Sequence, residues 1–207
     1  MTAYMPTQLF LLRHGPTSAP PGCFAGSSDV PLSGQGLARL DKISAQLKDV
    51  DYWYCSPMLR TRQTLDYLQQ KGCSAGESLY DERLREIDFG RWELQTFADI
   101  AAKDEDHLAA WNQYLDFVFP EGEAVSAFIQ RVEAMLAVFS GMESSVDTST
   151  NATNTVAVVT HGGVIRTMIC LALGISPRNY LLFDVPPASL TVLELFSEGG
   201  VLRGLNL

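Results

Sequence analysis

Two short apolar runs that each stop at a His-Gly pair place the strongest constraint on the fold of this chain. Gln8 to Arg13 is followed by His14-Gly15-Pro16, and the β-branched run Thr155 to Thr160 is followed by His161-Gly162-Gly163. Runs of this length with turn residues after them predict buried strands. Strand, turn and helix are therefore expected to follow one another along the chain.

The rest of the chain alternates in the same way. Tyr52 to Cys55 is a predicted strand, with Ser56-Pro57 as the N-cap and first position of a helix to about Gln70. Further predicted helices span Ser33 to Lys48, Glu93 to Ala102, His107 to Phe117, Glu123 to Gly141 and Val164 to Leu173. Further predicted strands are Ser189 to Phe196 and Val201 to Leu207, and the polar stretch Glu143 to Thr155 is expected to be a surface loop.

Alternating strands and helices indicate an α/β fold, here a three-layer α/β/α sandwich with a mainly parallel central sheet. Residues 1 to 207 are expected to form a single domain. In open sheets of this type, ligands bind beyond the carboxyl ends of the strands. Both His-Gly pairs fall at such ends, so we expect His14 and His161 to converge.

Composition argues against several classes of protein. A formal net charge of −9 disfavours a broad basic surface for nucleic acid or anionic lipid. The apolar run near the N-terminus is short and lacks a basic flank, and no later run reaches about eighteen apolar residues. We expect a cytoplasmic protein without nucleic-acid or membrane partners. The sequence leaves the oligomeric state open, with a homodimer as one option.

The four cysteines do not suggest a disulfide framework. They form no CxxC pair, which favours buried, reduced thiols. Their positions are Cys23, Cys55, Cys73 and Cys170.

Arginines near the two histidines predict a site for a phosphoryl group. Arg13 precedes His14, and Arg60 lies near the start of a predicted helix. Converging cations repel one another unless an anion neutralises them, and the planar guanidinium fits phosphate oxygens. A helix N-terminus adds partial positive charge. Because HExxH and clustered Cys/His spacings are absent from the sequence, we expect no metal and no cofactor.

Five segments, in this order, resemble the histidine phosphatase (phosphoglycerate mutase-like) superfamily. They are Leu11 to Thr17, Asp29 to Gly36, Ser56 to Thr64, Leu84 to Glu93 and Thr160 to Arg166. The resemblance implies a phosphoglycerate mutase-like fold and an enzyme that transfers a phosphoryl group through a phosphohistidine.

The same resemblance assigns roles to individual residues. It implies that His14 is the nucleophile and that Glu86 is the proton donor. The residues implied to bind the phosphoryl group are Arg13, Arg60, His161, Thr17 and Gly162. The chemistry is coherent, since a neutral imidazole can attack phosphorus while an adjacent acid protonates the departing alkoxide.

Several neighbours compete with these residues. Arg62 lies two positions after Arg60 and faces elsewhere on the helix, so we expect it in solvent or in a salt bridge. Asp88 and Glu93 share the loop of Glu86. Phe89 and Trp92 either form the floor of a substrate pocket or pack the loop down. The candidates to cap the pocket and select the leaving group are Phe24, Tyr114 and the segment His107 to Glu121. His107 itself is expected at the surface.

Within the family, the chain looks most like the α-ribazole phosphatases. The similar features are its short length, the run Asp88 to Glu93 and the ending His161 to Arg166. This implies a small phosphorylated metabolite as substrate, namely α-ribazole 5'-phosphate of cobalamin biosynthesis. The chain departs from many members at Pro20, where they have asparagine, and at Leu94, where they have glycine.

Two alternative functions are left open. One is a phosphoglycerate mutase-type phosphotransferase, although such enzymes are usually longer. The other is a non-catalytic, phosphate-binding regulatory module, which the intact set of candidate catalytic residues disfavours.

Overall fold

The computed structural model describes residues 6–34, 37–47, 49–73, 77–142 and 154–207. Six strands form one sheet in the order β3-β2-β4-β1-β5-β6. The strands are β1 (Thr7–Arg13), β2 (Tyr52–Cys55), β3 (Ser78–Tyr80), β4 (Asn154–Thr160), β5 (Leu190–Phe196) and β6 (Gly199–Gly204). The three pairs among β1, β2, β3 and β4 are parallel, and only β5 and β6 are added antiparallel. The predicted, mainly parallel sheet is confirmed.

Helices cover both faces of this sheet. They are α1 (Leu37–Ser44), α2 (Leu59–Gln70), α3 (Phe97–Lys103), α4 (Glu105–Ala110), α5 (Val125–Ser140) and α6 (Gly162–Ala172). Four short 3-10 segments occupy Glu82–Leu84, Gly90–Trp92, Trp111–Asp116 and Pro177–Leu182. Buried side chains of α5 and α6 pack on one face of the sheet, and those of α1 and α2 pack on the other. None of the helices within the described ranges has both the length and the apolar character needed to cross a membrane.

The central strands are apolar along their length because both of their faces are buried. In β1, Leu11 contributes to the core under α5 and α6, whereas the next residue, Leu12, contributes to the core under α1 and α2. Val158 and Val159 divide in the same way in β4, and all four side chains are at most 1% exposed. Each buried aliphatic side chain stabilises the fold by about 1.5–3 kcal/mol.

The start of α2 differs from the prediction. Its N-cap is Met58, which has no side-chain capping bond, so the predicted cap at Ser56 was wrong. Asp29 instead accepts the N–H of Leu59 at 2.6 Å and satisfies one free donor of the helix end. The hydroxyl of Ser56 is engaged by His161, a tertiary contact that no local pattern reveals.

Other boundaries also shift. The predicted helix from Glu93 begins only at Phe97, because Thr96 and Asp99 form a capping box there. The predicted helix over His107 to Phe117 is divided at Trp111 into α4 and a 3-10 segment. Strand β3 was not predicted. Most of the expected surface loop, residues 143 to 153, lies outside the described residues, as do residues 35 and 36 before α1.

The register of β1 and β4 brings the two His-Gly pairs together. Arg13 pairs with Thr160 at the carboxyl ends of the adjacent parallel strands. The backbone N–H of His14 donates to the carbonyl oxygen of Thr160 at 2.9 Å. The residue that follows each strand is a histidine, and the ring centroids of His14 and His161 lie 5.2 Å apart.

Candidate active site

His14 presents a single, defined nitrogen for reaction. Its Nδ1 lies 2.7 Å from the carbonyl oxygen of Gly15. A carbonyl oxygen only accepts, so Nδ1 carries the proton and Nε2 of the neutral ring keeps its lone pair. The side chain is 7% exposed and lines a cavity of about 510 Å³.

The surroundings of His14 hold the ring in the neutral form. Burial lowers the pKa of His14 well below its ordinary value of 6.5, and the positive charges of Arg60 and Arg13 lower it further. Both effects disfavour the imidazolium ion. A nucleophilic imidazole must be neutral, so the site favours the reactive form at and below neutral pH.

Thr64, to which sequence analysis gave no role, anchors the turn that fixes His14. Its hydroxyl donates to the carbonyl oxygen of Arg60 one helical turn earlier, at 2.8 Å, and accepts the N–H of Gly15 at 3.0 Å. Gly15 in turn accepts from the imidazole. The spacing of Arg60 and Thr64 in the sequence is only a weak indication of this role, because threonine side chains commonly donate to the carbonyl four residues earlier in helices.

Arg13 and Arg60 bring two buried guanidinium groups to the site. Burial lowers the pKa of each, and the negative charge of Glu86 opposes that effect in both. Neither forms an ion pair with a carboxylate among the described residues. The Nε of Arg13 is buried and has no hydrogen-bond partner in that part of the chain. Two desolvated cations without a carboxylate partner in that part of the chain form a site suited to a dianion.

Arg60 also holds the loop at one side of the site. It is fully buried, and its terminal nitrogens donate to the carbonyl oxygens of Ser28 at 2.8 Å and Gly26 at 2.7 Å. Arg62 is exposed, as predicted. The two arginines of this helix therefore differ as their spacing indicated.

His161 lies behind this arrangement. It is fully buried and is not among the residues that line the cavity. Its Nδ1 accepts from Nε of Arg60 at 3.2 Å, so the ring proton is on Nε2, which lies 2.8 Å from the hydroxyl oxygen of Ser56. Burial, and then Arg60, lower the pKa of His161 well below its ordinary value. Both nitrogens are engaged, and a bond from either to a phosphoryl oxygen stays a prediction.

Glu86 reaches the cavity at the first turn of α6. Its Oε2 accepts the N–H of Gly163 at 2.9 Å, and its Oε1 lies 3.2 Å from the backbone nitrogen of Ile87. Gly163 has no Cβ to block this contact. The carboxylate of Glu86 and the ring of His14 therefore line the same cavity.

The two competing acids are used elsewhere. Glu93 accepts backbone N–H groups of the loop at Gly26, Ser27 and Ser28, and joins that loop to its own. Asp88 accepts from the hydroxyl of Ser27 at 2.8 Å. Neither lines the cavity. Of the three acids in this loop, only Glu86 lines the cavity. Asp88 and Glu93 instead hold the neighbouring loop in place.

Arg131 of α5 holds the loop that carries Glu86. Its guanidinium donates to the carbonyl oxygens of Arg83, Arg85 and Glu86, at 2.8, 2.6 and 3.1 Å. It also forms a bidentate ion pair with Glu123, at 2.7 and 2.9 Å. Sequence analysis missed both residues, because they lie on a predicted helix whose apolar stripe indicated only packing.

The cavity has a cationic end and an aromatic end. Six of the seven predicted site residues line the first, namely Arg13, His14, Thr17, Arg60, Glu86 and Gly162. The second is lined by Phe24, Phe89, Trp111, Tyr114, Phe119 and Tyr180. Trp92 is 1% exposed and packs the loop. His107 is exposed beside Asp104, as predicted for a surface residue.

Metal-ligating residues do not cluster in the described ranges. No group of three or more histidine, cysteine, aspartate or glutamate side chains there is arranged to hold a metal ion. No disulfide forms among the described residues, and Cys55, Cys73 and Cys170 are buried as expected.

Comparison with known proteins places this geometry in context. The model of the histidine phosphatase superfamily (branch 1) matches residues 9–207. The chain is 26% identical over 203 residues to the adenosylcobalamin/alpha-ribazole phosphatase of Escherichia coli, covering 96% of this chain and 95% of that protein. It is 27% identical over 205 residues to phosphoserine phosphatase 1 of Hydrogenobacter thermophilus, covering 97% and 92%. The crystal structure of the alpha-ribazole phosphatase from Shigella flexneri superposes with a TM-score of 0.81 at 26% identity, over 97% and 96% of the two chains.

Proposed function

The chain belongs to the histidine phosphatase superfamily (branch 1) and is a phosphoric monoester hydrolase, and we propose that it works through a phosphohistidine on Nε2 of His14. The observation that carries this proposal is the fixed tautomer of His14. The bond to Gly15 leaves one lone pair free, in a cavity that Arg13 and Arg60 make positive.

The first step transfers the phosphoryl group to the enzyme. The Nε2 lone pair of His14 attacks phosphorus, and the bond between phosphorus and the ester oxygen breaks. That oxygen takes a proton from the carboxylic acid of Glu86 and leaves as an alcohol. Arg13 and Arg60 stabilise the charge on the three equatorial oxygens, a term that usually dominates in phosphoryl transfer. Thr17 and Gly162 line the same cavity, and we assign them contacts to those oxygens.

The second step releases phosphate. The carboxylate of Glu86 accepts a proton from a water molecule, whose oxygen attacks phosphorus while the phosphorus–nitrogen bond breaks. The electron pair returns to Nε2, and His14 is again neutral. The depressed pKa of His14 favours this outcome, since the ring keeps its proton on Nδ1 but does not take up a second proton at neutral pH.

We propose α-ribazole 5'-phosphate as the substrate. Support comes from two relatives whose names include alpha-ribazole phosphatase, matched over nearly the full length of both chains. The aromatic residues around the cavity suit a substrate that carries a planar base, because aromatic rings stack on one another. A phosphoserine phosphatase is similar to the same degree, so phosphoserine is the competing substrate.

Steady-state kinetics with a panel of phosphomonoesters tests both levels of the proposal. The panel contains p-nitrophenyl phosphate, α-ribazole 5'-phosphate, phosphoserine and 3-phosphoglycerate, with His14→Ala as the inactive control. We expect phosphate release from p-nitrophenyl phosphate and the highest kcat/KM with α-ribazole 5'-phosphate. No release from any ester would support a regulatory module instead, and a higher kcat/KM with phosphoserine would overturn the substrate.

A trapping experiment separates hydrolysis from phosphotransfer. The substrate carries a labelled phosphoryl group. Because phosphohistidine is unstable in acid, the labelled enzyme is isolated at alkaline pH, where phosphohistidine survives. We expect the label to be lost to water during turnover. Label that persists for minutes in water and then moves to a glycerate would identify a mutase.

A further inference from the structure

A second pocket of about 540 Å³ adjoins the candidate active site. We call it the outer pocket. It shares the side chains of Trp111, Tyr114, Tyr180 and Leu181 with the cavity that contains His14. Because the same four residues border both spaces, a ligand that fills the aromatic end of the first cavity lies directly beside the second.

The boundary between the two spaces is a pair of stacked tyrosines. The rings of Tyr114 and Tyr180 lie 4.6 Å apart and are inclined by 11°. Burial raises the pKa of Tyr180 to about 12 and shifts that of Tyr114 upward as well. Both phenols therefore stay protonated at neutral pH and offer a hydrogen-bond donor beside an apolar face.

Arg166 lies close enough to this pair and to Arg13 for its charge to act on all three side chains. It lines the cavity from α6, and its Nε donates to the carbonyl oxygen of Phe183 at 2.8 Å. It forms no ion pair with a carboxylate in the described part of the chain. Burial is the largest effect that lowers the pKa of Arg13, and Glu86 opposes it. The positive charge of Arg166 lowers the same pKa further. The catalytic scheme uses two arginines and leaves this third cation unassigned.

The rim of the outer pocket exposes large apolar side chains. Phe97, the first residue of α3, is 56% exposed, and Leu181 is 68% exposed. Both line the outer pocket, whose remaining wall includes Leu108 and the charged residues Glu105 and Arg178. Exposed phenylalanine and leucine side chains beside a catalytic cavity are typical of a ligand-binding surface. A ligand that covers them removes apolar surface from water, which favours binding.

We propose that the alcohol half of the substrate extends from the phosphoryl group past Arg166 and the two tyrosines into the outer pocket. The matching chemical class is a phosphomonoester with oxygen acceptors near the ester and an apolar, planar group beyond them. The acceptors lie beside Arg166 and the phenols, and the planar group covers Phe97 and Leu181. The inference rests on the proposed phosphatase function, and it distinguishes extended substrates from short ones such as phosphoserine.

A graded series of phenylalkyl phosphates tests the outer pocket. The esters carry from two to eight methylene groups between oxygen and ring, with p-nitrophenyl phosphate as the short reference. For the unmodified enzyme we expect kcat/KM to rise about tenfold along the series, the effect of added apolar contact in a pocket. Phe97→Asp should remove this rise, and an acid at the first helical position is compatible with the helix.

Leu182 supplies the matched control. It is 74% exposed and adjoins Leu181, but it lines neither space. Leu182→Asp should keep the dependence on chain length, whereas Leu181→Asp should weaken it as Phe97→Asp does. Equal profiles for the Leu181 and Leu182 variants would overturn the proposal.

The two levels of inference fail in different ways. If the unmodified enzyme does not hydrolyse p-nitrophenyl phosphate, the proposed phosphatase function is wrong. If it hydrolyses that ester but kcat/KM is flat along the series, only the outer pocket is wrong. Arg166→Leu adds a third measurement, since it should lower kcat/KM for sugar phosphates more than for phenylalkyl phosphates, and an equal loss for both would contradict its placement.

Discussion

Gly163 lies directly against the carboxylate of Glu86. Its N–H donates to Oε2 at 2.9 Å, and a Cβ at this position would lie only 2.3 Å from Oε1. A residue with a side chain therefore cannot occupy position 163 while Glu86 keeps its place. Because the obstructing atom is the end of a flexible side chain, the carboxylate would move rather than the backbone.

The first prediction follows from this contact. Gly163→Ala should lower kcat for an alkyl phosphate by about tenfold or more by displacing the proton donor. Stability should be unchanged or slightly higher, because alanine is favoured over glycine inside a helix by roughly 0.5–1 kcal/mol. Kinetics and urea denaturation of the same sample measure both effects. Full activity would show that Glu86 does not need this position.

Gly26→Ala is the contrasting variant. A Cβ there would lie 2.0 Å from the backbone oxygen of Ile87, which cannot move aside. This change should destabilise the fold, whereas Gly163→Ala should not. Similar unfolding midpoints for the two variants would contradict the distinction.

The roles of His14 and Glu86 predict different losses of activity. His14→Ala should abolish turnover, whereas Glu86→Gln should lower kcat for an alkyl phosphate by about 10²- to 10⁴-fold. The loss in Glu86→Gln should shrink with p-nitrophenyl phosphate, because a nitrophenolate leaves without protonation. Rates measured with both substrates check this. Equal residual rates in the two variants would refute the assignment.

Arg131 is predicted to act by positioning Glu86. Arg131→Lys keeps the charge but loses the planar set of donors to three carbonyl oxygens and Glu123. We expect a loss of about 1–3 kcal/mol in the free energy of unfolding. We also expect kcat to fall more with alkyl than with aryl phosphates, the same signature as in Glu86→Gln.

Arg85→Lys is the control for that variant. Arg85 pairs with Glu82 at the surface, where an ion pair contributes little. It should leave stability and the alkyl-to-aryl ratio unchanged. If Arg131→Lys lowers both substrates equally, its role is structural and does not pass through the acid.

The buried histidines predict how stability depends on pH. Burial, and then Arg60, lower the pKa values of His14 and His161 in the folded protein, whereas in the unfolded chain they titrate near 6.5. Below that pH the unfolded state binds more protons, so stability is full above about 6.5 and falls as pH decreases. The expected slope is up to about 1.4 kcal/mol per pH unit for each histidine.

Urea denaturation between pH 5 and 7 measures this slope. His14→Gln should reduce it, because that variant removes one of the two buried imidazoles. An unchanged slope in His14→Gln would show that other groups cause the loss of stability at low pH.

Leu94 predicts a stabilising substitution. Its φ is 58°, in the left-handed region that costs a residue with a Cβ about 1–3 kcal/mol, and its side chain is 43% exposed. Leu94→Gly should raise the free energy of unfolding by up to about 1 kcal/mol after the greater backbone entropy of glycine is subtracted. Leu94→Ala keeps the Cβ and should bring no gain. An equal gain in both variants would show that side-chain removal, not backbone relief, is the cause.

Much of the fold was predictable because its signals are local. The strand Tyr52 to Cys55 was predicted with its observed bounds, and the central strands β1 and β4 to within one residue, since both their faces are buried and their apolar runs are continuous. Ser56 shows where local reasoning fails. By propensity, serine followed by proline favours a helix start at this position. The hydroxyl of Ser56 instead bonds to His161 in the candidate active site and does not cap the helix.

The sequence by itself determined the alternation of strands and helices, the two strand ends that carry histidine, and the candidate residues of phosphoryl transfer. The first two depend on residue type and spacing along the chain, and the roles of the candidate residues rest on the resemblance to the histidine phosphatase superfamily. The tertiary structure decided which nitrogen of His14 is free, that His161 lies behind it with both nitrogens engaged, and that Glu86, not Asp88 or Glu93, faces the cavity. Hydrogen bonds between residues far apart in sequence hold His161 and Glu86, and the bond from Gly15 to Thr64 anchors the turn whose carbonyl fixes the tautomer of His14. These partners become known only once the sheet brings the strand ends together.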